Sequence, residues 1–180
     1  MKMKGVQKTA LGGIITALIA VLMFAEGFVR SGQYAAPTIS GLMLLSMSYA
    51  TGKAFALYAY GASGLIVILL CPDKEAALIF ILFAGYYPLI RDLLEKIPIK
   101  PLVFLVKLVI FNAAALAVYY LSIYVIGLPV DDYIVFGVDI TKAFFFILNI
   151  LFICYDRMLV LFDLRLRKRI ITVINKFFGS

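Results

Sequence analysis

The sequence predicts an all-α integral membrane protein of six transmembrane helices, with both termini cytoplasmic and a basic amphipathic segment at the C-terminus. Three observations carry that prediction. Of the 180 residues, 64% are hydrophobic and 15% charged, against roughly 45–50% and 25% in an ordinary soluble domain. A single domain's length of chain cannot hide that excess from water, so lipid has to solvate it. The apolar residues form continuous runs rather than alternating, which argues against a transmembrane β-barrel. Prolines and charges cut the runs, and the basic charges are shared unequally between alternate connections.

A helix needs about 20 residues to cross the hydrocarbon core. Span one is predicted over 9–25, after a leader carrying Lys2, Lys4 and Lys8. A secretory signal would begin the same way, but no small-x-small cleavage site follows, and Ala25 runs into Glu26, so the helix is expected to be retained. Span two covers 37–52, span three 54–71 and span four 76–90. The second and fourth are short, so they should stand upright or be sheltered by neighbours. Pro37, Pro72, Pro98, Pro101 and Pro129 fall at or between predicted ends. Pro88 lies inside span four and is expected to kink or end it. Span five covers 101–126 and span six 140–161. The tail over 163–178 interleaves Leu164, Ile170, Val173 and Phe177 with Arg and Lys; it reads as a helix lying on the inner leaflet, the other reading being the cytoplasmic end of span six. The whole chain, 1–180, forms one transmembrane domain.

Placing the N-terminus inside gathers 13 of the 17 basic residues there: Lys2, Lys4, Lys8, Lys53, Arg91, Lys96, Lys100, Arg157 and five more in the tail. Only Arg30 and Lys74 fall outside, and Lys107 and Lys142 lie within spans. This asymmetry predicts the orientation. It also accounts for the net charge of +7 through topology and anionic-lipid contact, with no nucleic-acid partner required.

Absences bound the chemistry. There is no histidine, and Cys71 and Cys154 are the only cysteines. Histidine-based acid/base work, Cys-His dyads and zinc or iron–sulfur sites are therefore not expected. The apolar segments hold no paired carboxylates and the chain has no phosphate-binding glycine loop. The expectation is a non-enzyme without metal or cofactor. The two cysteines should lie at different depths, too far apart for a disulfide.

Some polar residues are not explained by lipid. The first outer loop is longer than a hairpin needs and carries Arg30, Gln33 and Tyr34. Tyr119, Tyr120 and Tyr124 lie in the outer half of span five, where an interfacial aromatic belt is one reading and a ligand wall the other. Lys142, Asn149 and Asp156 are seven apart and share one face of span six. Asn149 can serve a ligand or an interhelical hydrogen bond. Lys107 is expected to snorkel to the cytoplasm. Arg30, Gln33, Tyr34, Tyr120, Tyr124, Lys142 and Asn149 are thus candidates for an outer-half site clamping a planar, anionic metabolite. In span one, Gly13, Ala17 and Ala20 give small residues on one face, a surface for close helix approach by a partner.

Several motifs occur together: Lys8-Thr9-Ala10-Leu11 after a basic leader, then Thr16-Ala17-Leu18-Ile19-Ala20. The long outer loop ends in Pro37-Thr38-Ile39-Ser40-Gly41, and Thr51-Gly52-Lys53 leads into a span with Gly61 and Gly64. With the six-span architecture, this pattern resembles the S-components of energy-coupling factor (ECF) transporters over nearly the whole chain. The resemblance implies a substrate-capture subunit for vitamin or micronutrient uptake in a bacterial or archaeal cell membrane. It implies binding at the outer face and transport energy from a transmembrane coupling protein and two ATPase subunits, with span one docking on the coupling protein. The motifs do not type the substrate. The other class left open is a membrane scaffold of the MreD-like kind, which needs no ligand cavity.

Overall fold

The computed structural model describes residues 5–28, 34–127, 134–135, 138–139 and 141–178. Helices α1 (Gly5–Glu26), α2 (Ala35–Thr51), α3 (Lys53–Leu70) and α4 (Lys74–Ile79) are followed by α5 (Tyr87–Leu94), α6 (Lys100–Leu121) and α7 (Thr141–Phe178). π-helical turns prolong two of them, Phe80–Ala84 after α4 and Ser122–Ile126 after α6. The described strands are two residues each: β1 (Ile134–Val135) pairs antiparallel with β2 (Val138–Asp139).

Five stretches are long and apolar enough to cross a membrane: Gly5–Glu26, Lys53–Leu70, Lys74–Leu94, Lys100–Ile126 and Phe145–Arg165. The chain is a helical, multi-pass membrane protein. At 17 residues α2 is shorter, about 25 Å at the usual rise per residue. It is sheltered rather than lipid-facing, with Ser40, Leu44 and Met47 at most 1% exposed.

The turns follow from local chemistry. Gly52 ends α2 at φ 93°, a backbone angle that side chains disfavour, and its N–H donates to the Ser48 carbonyl at 2.9 Å. Asp73 caps α4, its carboxylate accepting from the N–H groups of Glu75 at 2.9 Å and Ala76 at 3.1 Å. The fourth span breaks earlier than Pro88 suggests. The break is the π-turn, closed by the Gly85 N–H donating to the Phe80 carbonyl at 2.8 Å. Pro88 instead opens α5, where its missing N–H is harmless. Gly41 of α2 packs on this bend: a Cβ there would sit 2.1 Å from the Ala84 carbonyl oxygen.

The C-terminal expectation needs correction. Span six and the tail are not two helices, because α7 runs unbroken for 38 residues. No Pro or Gly interrupts Thr141 to Phe178, so nothing in the backbone opposes continuation. The helix reaches well beyond a hydrocarbon core about 30 Å thick. Arg167 of its basic part lies over the Tyr49 ring of α2, 5.4 Å from the centroid.

The antiparallel succession gives the molecule two ends. One gathers the start of α1, the Gly52 turn, the α5–α6 turn and the basic end of α7, tied by the Lys53–Asp92 pair at 2.9 Å. The other gathers Gly27, the Cys71–Asp73 turn and Gly127; there the Cys71 thiol donates to the Met23 carbonyl. Two cores lie between the ends. Ile19, Met23, Leu44, Ala56 and Val67 join α1, α2 and α3. Leu45, Phe83, Tyr87, Phe152 and Leu159 join α2, the kinked fourth segment and α7, with Ala114 of α6. Aromatic stacking organises the second core: Phe111 on Phe152 at 4.6 Å between centroids, and Phe83 on Tyr87 at 4.7 Å.

Candidate functional site

A cavity opens in the half of the molecule away from the basic end. Its empty volume is about 660 Å³, counting the open mouth. Its walls are largely apolar: Ile79, Phe83, Phe111, Ala114, Ala115, Val118, Phe145 and Leu148. Tyr34, Glu75, Tyr119 and Ser122 add polar groups. Three helical segments, α4 and α6 each with its π-turn and α7, supply all of these residues but Tyr34, which precedes α2, so the cavity belongs to their packing and not to one loop. Both π-turns contribute. The wider turn brings Phe83 inward after α4, and Ser122 begins the second π-turn after α6. Such bulges re-aim side chains that a regular helix would send elsewhere. Ser122 is 4% exposed and its Oγ has no hydrogen-bond partner among the described residues. Tyr34 stands half exposed at the mouth.

Below the cavity the polar groups are paired. Asn112 and Asn149 exchange amide hydrogen bonds at 2.8 and 3.1 Å across α6 and α7. Each also donates to the carbonyl one turn back, Leu108 and Phe145 respectively, both at 2.8 Å. Asn149 is therefore engaged between helices, flanked on α7 by the cavity residues Phe145 and Leu148.

Deeper still lies an ionic node. Asp156 of α7 accepts from Tyr87 Oη at 2.7 Å and from Lys107 Nζ at 3.0 Å. Arg91 Nε is 3.2 Å from the same carboxylate, a charge contact whose angle falls outside hydrogen bonding. Lys107 also pairs with Glu95 at 2.5 Å. The expectation that Lys107 snorkels is overturned: its side chain is 5% exposed. Two carboxylates from neighbouring helices meet its ammonium inside the bundle, so it has no need to reach water. Arg91, Lys107, Glu95 and Asp156 balance in charge and bind α5, α6 and α7 together.

The sequence candidates distribute as follows. Tyr34 lines the cavity, and Asn149 lies just beneath it. Tyr120 and Tyr124 stay outside: they are 53% and 79% exposed and stack on each other, 15° between planes. Their neighbour Tyr119 is the one that turns inward. Arg30 and Gln33 lie outside the described residues. Lys142 falls in the first turn of α7, its side chain likewise outside them. On α1, Gly12 and Thr16 face the core while Gly13 and Ala17 are exposed and Ala20 is half-buried. Nothing lies within 4 Å of where a Gly13 Cβ would be. Both cysteines are free, Cys71 buried and Cys154 exposed.

Sequence reasoning missed Glu75, Ser122 and the three phenylalanines Phe83, Phe111 and Phe145. Glu75 falls between predicted spans three and four and Ser122 inside span five, and neither belongs to a motif that marks it. The phenylalanines are indistinguishable from lipid-facing ones until the helices are packed. No family model matches this chain, and no curated protein or solved structure shows a match to it.

Proposed function

We propose that this chain is a substrate-capture subunit of a micronutrient uptake transporter, of the S-component kind, in the cell membrane of a bacterium or archaeon. In this reading six helices cross the bilayer and both termini are cytoplasmic. A small metabolite enters from outside, and a separate coupling protein with ATPase subunits drives its release within. The cavity carries the proposal: an apolar, ring-lined space with a few polar groups, in the half of the molecule opposite the basic end. Positive charge marks the cytoplasmic side, so that half faces outward. The uncovered small-residue face of α1, Gly13 and Ala17, offers a surface for close helix contact with the coupling protein.

Native mass spectrometry of the gently purified protein tests both parts together. The expected spectrum contains a bound small molecule and copurified ATPase subunits. The Gly13→Leu/Ala17→Leu double variant should lose the ATPase subunits and keep the small molecule. A ligand-free protein recovered with other membrane proteins and no ATPase would overturn the proposal in favour of a scaffold. Unchanged subunit recovery in the double variant would remove α1 as the docking face.

A further inference from the structure

Hydroxyls on these helices have a habit from which Ser122 departs. Thr9, Thr38, Ser46, Thr51, Ser63 and Thr172 each donate to the carbonyl four residues back on their own helix. That bond is how a serine or threonine settles itself in an apolar span. The Ser122 Oγ has no partner among the described residues, although Ser122 is 4% exposed. A buried hydroxyl in that state is unfavourable until something supplies a hydrogen bond. The Ser40 Oγ is also unpartnered, but Ser40 borders no described cavity. Ser122 lines one, at the first residue of the π-turn that ends α6.

The walls around it are rings held in fixed planes. Phe83 and Phe111 meet edge to face, 5.2 Å between centroids and 72° between planes. Tyr119 and Phe145 make a second edge-to-face pair at 6.2 Å. Tyr87 takes one face of Phe83, and Phe152 takes one face of Phe111. Both backing rings are buried, at 0% and 3% exposure. Phe83 and Phe111 therefore offer the cavity only a remaining face or an edge, and they cannot turn without disturbing the core. Rings bind other rings by offset stacking and edge-to-face contact, which their quadrupoles favour. Planes set in advance also spare a ligand the cost of ordering them.

We propose that the cavity takes a small molecule with an aromatic ring that bears a hydrogen-bonding substituent. The ring lies among Phe83, Phe111, Tyr119 and Phe145, and the substituent meets the Ser122 Oγ. This rests on the capture function above and adds the class of molecule captured and the residue that selects it. It needs neither Arg30 nor Lys142, whose side chains lie outside the described residues.

Two matched pairs of probes test the two halves of the proposal. Tryptophol and 3-ethylindole differ by one hydroxyl. Phenethyl alcohol and cyclohexylethanol share their heavy atoms and differ in whether the ring is aromatic. The chain has 11 tyrosines and no tryptophan, so indole fluorescence anisotropy excited beyond the tyrosine band reports the probe alone. The full-length protein in detergent should bind tryptophol saturably. The preference for tryptophol over 3-ethylindole should fall about 2- to 12-fold in Ser122→Ala, the span of one neutral hydrogen bond. Both proteins are measured in the same detergent, so partition of the probes into micelles cancels. Phenethyl alcohol should displace tryptophol about 2- to 12-fold better than cyclohexylethanol, the span of one aromatic ring pair. Ala115→Phe puts a ring into the space itself and should weaken both indoles at least tenfold. A preference unchanged in Ser122→Ala, equal displacement by the two alcohols, full binding in Ala115→Phe or no saturable binding at all would each overturn the proposal. The capture function is judged separately, by the copurified molecule in the native mass spectrum. An aliphatic molecule found there would overturn the aromatic class and leave capture standing.

Discussion

Asp156 shows what a single residue does in a low-dielectric interior. Its carboxylate, 17% exposed, takes the Tyr87 hydroxyl and the charges of Arg91 and Lys107. Removing one partner of a buried pair leaves uncompensated charge and costs about 3–5 kcal/mol. Asp156→Ala should therefore destabilise the folded protein by about that amount. The Lys53–Asp92 pair is a useful contrast, with side chains 35% and 38% exposed. Exposed pairs contribute about 0–1 kcal/mol, so Asp92→Ala should lose no more than that. Denaturant unfolding in detergent checks both variants. Equal losses would show that burial adds nothing to the node. Gly41 makes a different residue-scale point. Its value lies in the absence of a side chain, since the Ala84 carbonyl occupies the place a Cβ would take.

At the scale of elements, α7 is the part whose behaviour departs most from the sequence expectation. One face of it packs through Phe145, Leu148, Asn149, Phe152, Asp156 and Leu159, repeating at intervals of three and four, as a helix face must. The same helix continues past the apolar stretch without a breaker, so the basic residues belong to the same continuous helix. A continuous helix separates residues 154 and 176 by about 33 Å. Spin labels on Cys154, which is exposed, and on a cysteine replacing Lys176 should report that distance once label size is allowed for. Cys71→Ala removes the competing thiol. A shorter, broad distribution would mean that the tail folds back as a separate surface helix. The two π-turns are the other elements with consequences. Each adds a residue's worth of width to its helix, and Phe83 and Ser122 reach the cavity from them.

For the whole molecule, the decisive property is the separation of charge between its ends. Lys53, Lys96, Lys100 and the basic length of α7 share one end, while the cavity lies in the opposite half. The positive-inside bias then predicts sidedness. Single cysteines introduced at Gln33 and Lys168, in a chain lacking Cys71 and Cys154, should label from opposite faces of the membrane with an impermeant reagent. Labelling of both from one side would refute the six-span topology and turn the cavity away from the outside. The aromatic core between the ends spans α6, α7 and the kinked fourth segment, so the cavity floor and the ionic node are fixed by the same packing.

The sequence alone determined the long apolar helices and the gathering of basic residues toward one end. Those properties depend on local composition: apolar runs of membrane length, proline and glycine at the breaks, and lysine and arginine counts in alternate loops. The 163–178 tail failed at this level, because basic and apolar interleaving looks the same on a surface helix and on a helix that continues outward. The tertiary structure alone decided which polar groups meet. Lys107 and Asp156 are 49 residues apart, and no spacing rule reports that two carboxylates reach that lysine. Tyr119 and Tyr120 are adjacent in sequence, yet one turns to the cavity and the other to the outside. Helix rotation sets that difference, and rotation comes from packing against α7 and the bent fourth segment. Glu75 became a site residue for the same reason. Its charge was visible in the sequence, but its environment exists only once α4, α6 and α7 enclose a common space.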